Sequence, residues 1–324
     1  MKEIIITAAQ QGQRLDKFLG KYMNEAPKGF LYKMLRKKRI KYNGKKAEGN
    51  EILAAGDCLT LYLSEETIAS FHHQKEAQME AGDLAVIFEN QDVLAVNKPA
   101  GLLSHPEKKA DRDTLSDRLL AYLARTGAYD AKQGDGFVPA LCNRLDRNTS
   151  GIVLAGKTLA GVQALNASIR SRSCKKEYFA LVLGRVLQKG AISLKLEKDE
   201  KTNQVFSSQK GKETLTKYYP VKAGRDFTLL RIELVTGKTH QIRAHMKEMG
   251  HPLAGDPKYG VKAVNRNLAE QFGLNRQFLH AAQITFGEET GVLAPLRGKR
   301  LQAPLPRDLQ RVLQGLDLQI DFPT

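Results

Sequence analysis

The chain has 324 residues, with 51 Lys and Arg against 35 Asp and Glu and a formal net charge of +16. A hydrophobic fraction of 42% beside 27% charged residues is that of a globular chain and excludes a disordered polycation, and no apolar run nears the ~20 residues that span a bilayer. The length suggests about two domains, and the charge makes a polyanion the leading partner, because Lys and Arg release counterions when they meet phosphate.

The start, MKEIIITAAQQGQ, has one basic residue and only a short apolar stretch, so it lacks the apolar region of a secretory signal and a cytoplasmic location is expected. RLDKFLGKYM places Leu15, Phe18, Leu19 and Tyr22 on one face of a helix. Phe30, Leu31, Met34 and Leu35 repeat that spacing in a second helix and leave Lys33, Arg36 and Lys37 on its other side. Nine Lys or Arg and no acid lie between Lys28 and Lys46, so the positive charge is concentrated here. Arg14, Lys33, Arg36, Lys37, Lys38, Arg39 and Lys41 are the candidate RNA contacts of this region. Ile40 to Tyr42 followed by Asn43-Gly44 predicts a strand entering a tight turn, and CLTLYL, from Cys58, a second strand. The succession of RLDKFL, a basic helix and KRIKYNGKKA resembles the RNA-binding domain first seen in ribosomal small-subunit protein S-four.

Residues 64–83 are polar and rich in Glu and Gln, and read as an interdomain linker that is at most partly helical. His72 and His73 lie there without a third ligand at useful spacing, so no metal is expected. From Leu84 short strands follow closely. LAVIFEN and VLAVNKP predict a hairpin, and Ile152–Ala155, Tyr178–Val186, Ile192–Leu196, Leu215–Lys222 and Leu229–Val235 predict further strands. Helical spacing recurs at Leu115–Arg125, Leu159–Arg170 and Thr239–Met249. The expected fold is α+β: a catalytic domain on a largely antiparallel mixed sheet with flanking helices, plus a small α/β RNA-binding domain at the N-terminus. The corresponding division is 1–64, a linker 65–83, and 84–324.

Chemistry concentrates in three segments. PALCNRLDRNTSGIVLAGKT holds Asp146 in a loop beside Arg144 and Arg147, ahead of an apolar strand. Neighbouring cations suit a carboxylate acting as nucleophile or charge stabiliser, and a turn residue paired with an arginine is the plainer alternative. LVTGKTHQIRAHMKEMGHPLAGDPKYG has a Thr236-Gly237 turn followed by His240, Arg243 and Lys247 at three- and four-residue steps, which predicts a cationic helix face. The spacings of His240, His245 and His251 do not place two metal ligands on one helical face, and no P-loop or GxGxxG is present, so neither a metal nor a nucleotide cofactor is expected. KKEYFALVLGRV opens on a strand at Tyr178, for which core packing is the alternative. Cys58, Cys142 and Cys174 are too widely spaced for a disulfide framework and read as reduced thiols.

In chain order NKPAGLLSHP, NRLDRNTSGIVLAGK, KKEYFALVLGRV, TGKTHQIRAH, HPLAGDPKYG and FLHAAQITF resemble the RluA-type family of RNA pseudouridine synthases, from about Leu84 to Leu301. The N-terminal basic module has the placement seen in members that modify large-subunit ribosomal RNA. Asn143 stands where the pattern most often has His and Lys238 where it usually has Arg, departures that bear on substrate positioning rather than on the aspartate. The resemblance implies Asp146 as nucleophile, Arg144 filling the gap left by an extruded uridine, Tyr178 against the flipped base and in reach of proton transfer, and Arg243 pairing with Asp146. Lys238 and His240 are implied RNA contacts, and no cofactor is needed because the isomerisation involves neither redox change nor phosphate energy. A monomer suffices for such a mechanism. Large-subunit ribosomal RNA is the expected substrate, with transfer RNA as the alternative. A non-catalytic RNA-binding or ribosome-assembly factor is the competing function. A hydrolase using paired carboxylates is disfavoured because no second acid is expected beside Asp146.

Overall fold

The computed structural model describes residues 1–7, 10–71, 81–108, 110–130, 137–199, 202 and 204–320. The expectation for His72 and His73 lies outside the described residues. Two sheets organise the chain. The first has four strands in the order β1-β4-β2-β3, from β1 (Lys2–Ile5), β2 (Ile40–Tyr42), β3 (Lys45–Lys46) and β4 (Cys58–Leu61). Asn43 and Gly44 both take positive φ, 48° and 73°, as the tight β2–β3 turn requires. Helices α1 (Leu15–Tyr22) and α2 (Lys28–Arg36) lay Leu15, Phe18, Leu19, Leu31 and Leu35 on this sheet, the faces that their spacing predicts. The segment read as a linker begins with a helix, α3 (Glu65–Phe71), whose Ile68 and Phe71 join the same apolar cluster. Its polar sequence hides that contact because two apolar side chains suffice to dock so short a helix.

The second sheet is built from β5 (Val86–Glu89), β6 (Val93–Lys98), β7 (Ala140–Leu141), β8 (Ser150–Gly156), β9 (Lys175–Leu183), β10 (Gly190–Asp199), β11 (Gln204–Ser207), β12 (Lys212–Ala223), β13 (Phe227–Leu234), β14 (Leu279–Thr285) and β15 (Arg300–Gln302). Its main path runs β11-β10-β12-β13-β9-β14-β8-β6-β5, with β7 on β8 and β15 on β14. Pairing is antiparallel except between β14 and β8, so the sheet is mixed and largely antiparallel, as expected. Central strands read as unbroken apolar runs because both faces are covered. In β8, Val153 and Ala155 meet α4 (Leu115–Arg125) and α6 (Gln241–Glu248), whereas Ile152 and Leu154 join the opposite cluster with Leu165 of α5 (Leu159–Ser171). Helices α7 (Lys262–Phe272) and α8 (Arg307–Gly315) cover Leu181 and Leu229 further along that opposite side. Helix α4 starts at a capping box in which Thr114 and Asp117 satisfy each other's backbone N–H.

Among the described residues no helix is long and apolar enough to cross a membrane.

Candidate functional site

A cleft of about 520 Å³ is lined by the 142–146 loop, the start of β9 and the segment from Leu234 to Arg243. Asp146 sits in the loop between β7 and β8, and nearly every neighbour in that loop is tied down. Ser104 Oγ accepts the Leu145 N–H at 3.1 Å and donates to the Leu145 carbonyl at 2.8 Å. Lys98, fully buried, donates to the carbonyls of Pro99, Leu102 and Arg147 at 2.9, 2.7 and 3.0 Å. Three acceptors match the three N–H bonds of an ammonium. Burial pushes this lysine down to about 7, against the opposing pull of the Asp146 charge. After Thr149, the chain enters β8 at Gly151 with φ +115°, where a Cβ would stand 2.2 Å from the Ala281 carbonyl oxygen. Only glycine fits the Thr-Ser-Gly sequence against so close a strand.

Arg243 links two carboxylates. Its Nη1 donates to Asp146 Oδ2 at 2.9 Å, and its Nε and Nη2 donate to Asp256 at 2.7 and 2.9 Å. The expectation that no second acid accompanies Asp146 is thereby corrected: Asp256, in the HPLAGDPKYG segment, shares its arginine. Asp256 is fully buried and also accepts the Lys258 and Tyr259 N–H groups, so its lone pairs are engaged away from the cleft. The Asp146 side chain keeps 22% of its surface exposed and is the carboxylate with access to a ligand. The expected cationic stripe of His240, Arg243 and Lys247 is also corrected. The helix begins at Gln241, His240 precedes it in the left-handed region with φ +51°, Arg243 is turned inward, and Lys247 faces solvent.

His240 Nε2 stands 3.8 Å from Asp146 Oδ2. Tyr259 Oη accepts the Val205 N–H at 2.7 Å and lies 3.0 Å from His240 Nδ1. The phenol hydrogen then points at Nδ1, which assigns the imidazole hydrogen to Nε2, facing the carboxylate. Burial holds His240 down to about 4, more than Asp146 raises it. Tyr178 packs in the main apolar cluster with its ring on the cleft, and burial followed by the Asp146 charge pushes its phenol upward. It is therefore a neutral hydroxyl near neutral pH.

Arg144, Lys238 and His240 line the same cleft as Asp146, Tyr178 and Arg243. Arg144 and Lys238 are exposed, and among the described residues neither has an ion-pair partner. Gln241 explains the local TGKTHQ sequence: its Oε1 accepts from the Thr236 hydroxyl and the Lys238 N–H, while its Nε2 donates to the Leu215 carbonyl, winding the loop around one side chain. Asn143 accepts the Leu154 N–H at 2.7 Å, so this departure from the family pattern holds the edge of β8. Arg170, Arg172 and Lys176 also line the cleft and escaped the sequence reading. For Lys176 a signal existed, since strand periodicity puts it on the same face as Tyr178.

The remaining candidate RNA contacts belong to the four-stranded unit. Lys33, Arg36, Lys37, Lys38 and Arg39 are exposed and, among the described residues, have no acidic partner. Lys41 lies over the Tyr62 ring at 5.1 Å. Arg14 differs, being ion-paired with Asp16 at 3.1 Å. Cys58, Cys142 and Cys174 are free thiols, and burial pushes the latter two up to about 12. Among the described residues no group of three or more His, Cys, Asp or Glu could hold a metal ion.

A family model described as RNA pseudouridylate synthase matches residues 92–248. Over 98% of its length the chain is 30% identical to the uncharacterized RNA pseudouridine synthase YlyB of Bacillus subtilis, covering 99% of that protein. It is 33% identical over 98% of its length to ribosomal large subunit pseudouridine synthase C of Escherichia coli, covering 97% of it. Among solved structures, human RNA pseudouridylate synthase domain containing 4 is similar with a TM-score of 0.58 and 19% identity, over 73% of this chain and 94% of that one. That last likeness bears on the fold alone.

Proposed function

Because the chain belongs to the RluA-type RNA pseudouridine synthases, we propose that it converts specific uridines of large-subunit ribosomal RNA to pseudouridine, with Asp146 as the nucleophile. The observation that carries the assignment of Asp146 is its position as the cleft-facing carboxylate of a pair bridged by Arg243, with Tyr178 lining the same cleft. The substrate class rests on the Escherichia coli relative, whose name specifies the large ribosomal subunit, and is supported by the exposed cations of α2 and the turn after it.

The reaction breaks the uridine N1–C1′ bond, turns the uracil and joins C5 to C1′, with the C5 proton lost to water and N1 taking up a proton in its place. Addition of the carboxylate to C6, attack at C1′, and abstraction of a ribose proton each require Asp146 beside the reacting ring or sugar. The target base must leave its stack, at a cost of a few kcal/mol. Arg144, exposed at the cleft and without an acidic partner among the described residues, is suited to the vacancy, and the Tyr178 ring to the face of the extruded base. Its neutral hydroxyl is suited to relay a proton, giving up its own hydrogen as its oxygen takes another, rather than to act as a fixed anion. Arg243 directs Asp146 and balances its charge. In this division the four-stranded unit with α3 captures RNA and the eleven-stranded unit carries the chemistry. Phosphate contacts from Lys33, Arg36, Lys37, Lys38, Arg39, Lys41 and Lys238 give affinity without reading sequence.

The test uses unmodified large-subunit ribosomal RNA and bulk transfer RNA, both tritiated at uridine C5. The expected result is tritium release to water from the ribosomal RNA by the wild type and none by Asp146→Asn, with RNA affinity retained. Release by Asp146→Asn would overturn the nucleophile, and release from transfer RNA alone would overturn the substrate. Tight binding with no release from either RNA would favour a non-catalytic RNA-binding factor.

A further inference from the structure

The loop that carries Asp146 is gripped from a second side by residues well beyond the 92–248 span of the family match. Arg276 Nη1 donates to the Asn148 carbonyl at 3.2 Å, Gln277 Nε2 to Thr149 Oγ1 at 3.1 Å, and His280 Nδ1 meets Ser150 Oγ at 2.9 Å. The last two residues of the loop and the first of β8 are thus held by one short segment before and within β14. The backbone of that segment also supports the loop bearing Asp256: the Phe278 N–H donates to the Ala254 carbonyl at 2.8 Å, and the Arg276 carbonyl lies so close to Gly255 that a Cβ there would stand 2.2 Å away. One stretch of chain therefore sets the spacing between the two carboxylates that Arg243 joins.

Arg276 is itself aimed from outside. Its Nε and Nη2 form a fork on Asp308 at 2.7 and 3.0 Å, in the first turn of α8. Arg276 is 8% exposed, whereas the Asp308 side chain is 39% exposed. Helix α8 does not depend on this pair for its seat, because Leu309, Val312 and Leu313 are buried in the apolar cluster beneath it. A half-exposed carboxylate that contributes little to docking its own helix, yet fixes a buried guanidinium on a loop carbonyl, has the geometry of a positioning device.

We propose that Arg276, oriented by Asp308, is a positioning residue for pseudouridine formation, holding the Asn148 carbonyl so that Asp146 meets the flipped uridine at the reacting distance. The inference rests on the assignment of Asp146 as nucleophile. Neither Arg276 nor Asp308 touches the cleft, so their loss should change turnover and not RNA affinity. Displacement of a reacting group by an ångström reduces rates by as much as about a hundredfold.

The experiment compares Asp308→Ala, Arg276→Lys, Arg276→Ala and the double Ala variant with the wild type, by tritium release and by amide exchange. Asp308→Ala should lower kcat about tenfold with KM for RNA within about twofold, and Arg276→Ala should lower it further. Arg276→Lys should lie between them, since a lysine reaches one partner and not both. The double variant should equal Arg276→Ala, because both residues act along one route. The Thr149 and Gly101 amides, bonded to the Asp146 and Arg147 carbonyls, should exchange faster in each variant while α8 amides keep their protection. An unchanged kcat with unchanged loop exchange overturns the proposal, as does a rise in KM alone or a loss of α8 protection in Asp308→Ala. A wild type that releases no tritium, with variants whose loop still exchanges faster, would overturn the functional reading and leave the positioning of the loop standing.

Discussion

Arg243 divides one guanidinium between two acids, giving a single N–H to Asp146 and a two-pronged grip to the fully buried Asp256. A lysine is a point charge and cannot hold both. Arg243→Lys should therefore fold but lose on the order of a hundredfold or more in kcat/KM. Arg243→Ala leaves the Asp256 charge buried against two backbone N–H groups, and should cost about 3–5 kcal/mol in urea unfolding as well as activity. Equal stability of the two variants would refute the unequal sharing.

The exposed cations of α2 should govern capture rather than turnover. Replacing Lys33, Arg36 and Lys37 together by Ala should reduce the slope of log K against log salt by about 2, given roughly 0.7–0.9 per phosphate contact. The kcat at saturating RNA should stay unchanged. Arg14→Ala should have a smaller effect, because its charge is already matched by Asp16. A salt slope unchanged by the triple substitution would remove α2 from the RNA interface.

Three histidines make stability fall in mild acid. Burial lowers His240, His245 and His280 to about 4 from an ordinary value near 6.5. Their neutral forms are native, so the unfolded chain binds protons first. Their contribution is complete above about pH 6.5 and is lost as pH falls toward 4. For His245, Nε2 donates to the Thr214 hydroxyl, whose own hydrogen goes to the Leu194 carbonyl, and Nδ1 is buried without a partner among the described residues. Protonation would thus place an unmatched N–H in the core. Urea midpoints at pH 7.5 and 5 should differ clearly in the wild type, and His245→Gln should narrow that difference even while lowering stability at pH 7.5.

Gly151→Ala should be among the most damaging single-methyl additions, by about 3 kcal/mol or more, because φ is +115° and the new carbon would enter the Ala281 carbonyl. Thermal unfolding checks this. A Tm within a degree or two of wild type would mean that β14 can back away from β8.

The sequence was informative where function is written locally. Asp146, Arg144, Tyr178, Arg243, Lys238 and His240 were selected from three separate segments, and they line one cleft. The two-residue turn at Asn43-Gly44 and the apolar faces of α1, α2, α4 and α5 followed from chemistry within a few residues. What escaped depends on distant partners. Nothing in the residues around Asp256 marks it out; its role appears only where Arg243 meets it in the fold. Spacing alone puts His240 on the helix, since it does not reveal a left-handed residue just ahead of Gln241. Helices α7 and α8 and strand β14 drew no prediction, and α3 only that of a partly helical linker, since their apolar residues are few or mixed with polar ones and their burial is decided by the sheet they meet.

The parallel junction of β8 with β14 also sets a schedule. Ser150 finds His280 only after 130 further residues have been added, and Asp308, which forks on the Arg276 that holds Asn148, comes later still. At about 5–20 residues per second, a ribosome takes roughly 6 to 26 seconds to cover that interval. During it, the growing chain displays a finished four-stranded unit and its cations, while the loop with Asp146 lacks half its supports. Under the proposed division of roles, such a nascent chain would meet RNA before its catalytic loop is fully braced. The last support of that loop, the Asp308 fork on Arg276, arrives only with α8 near the end of synthesis.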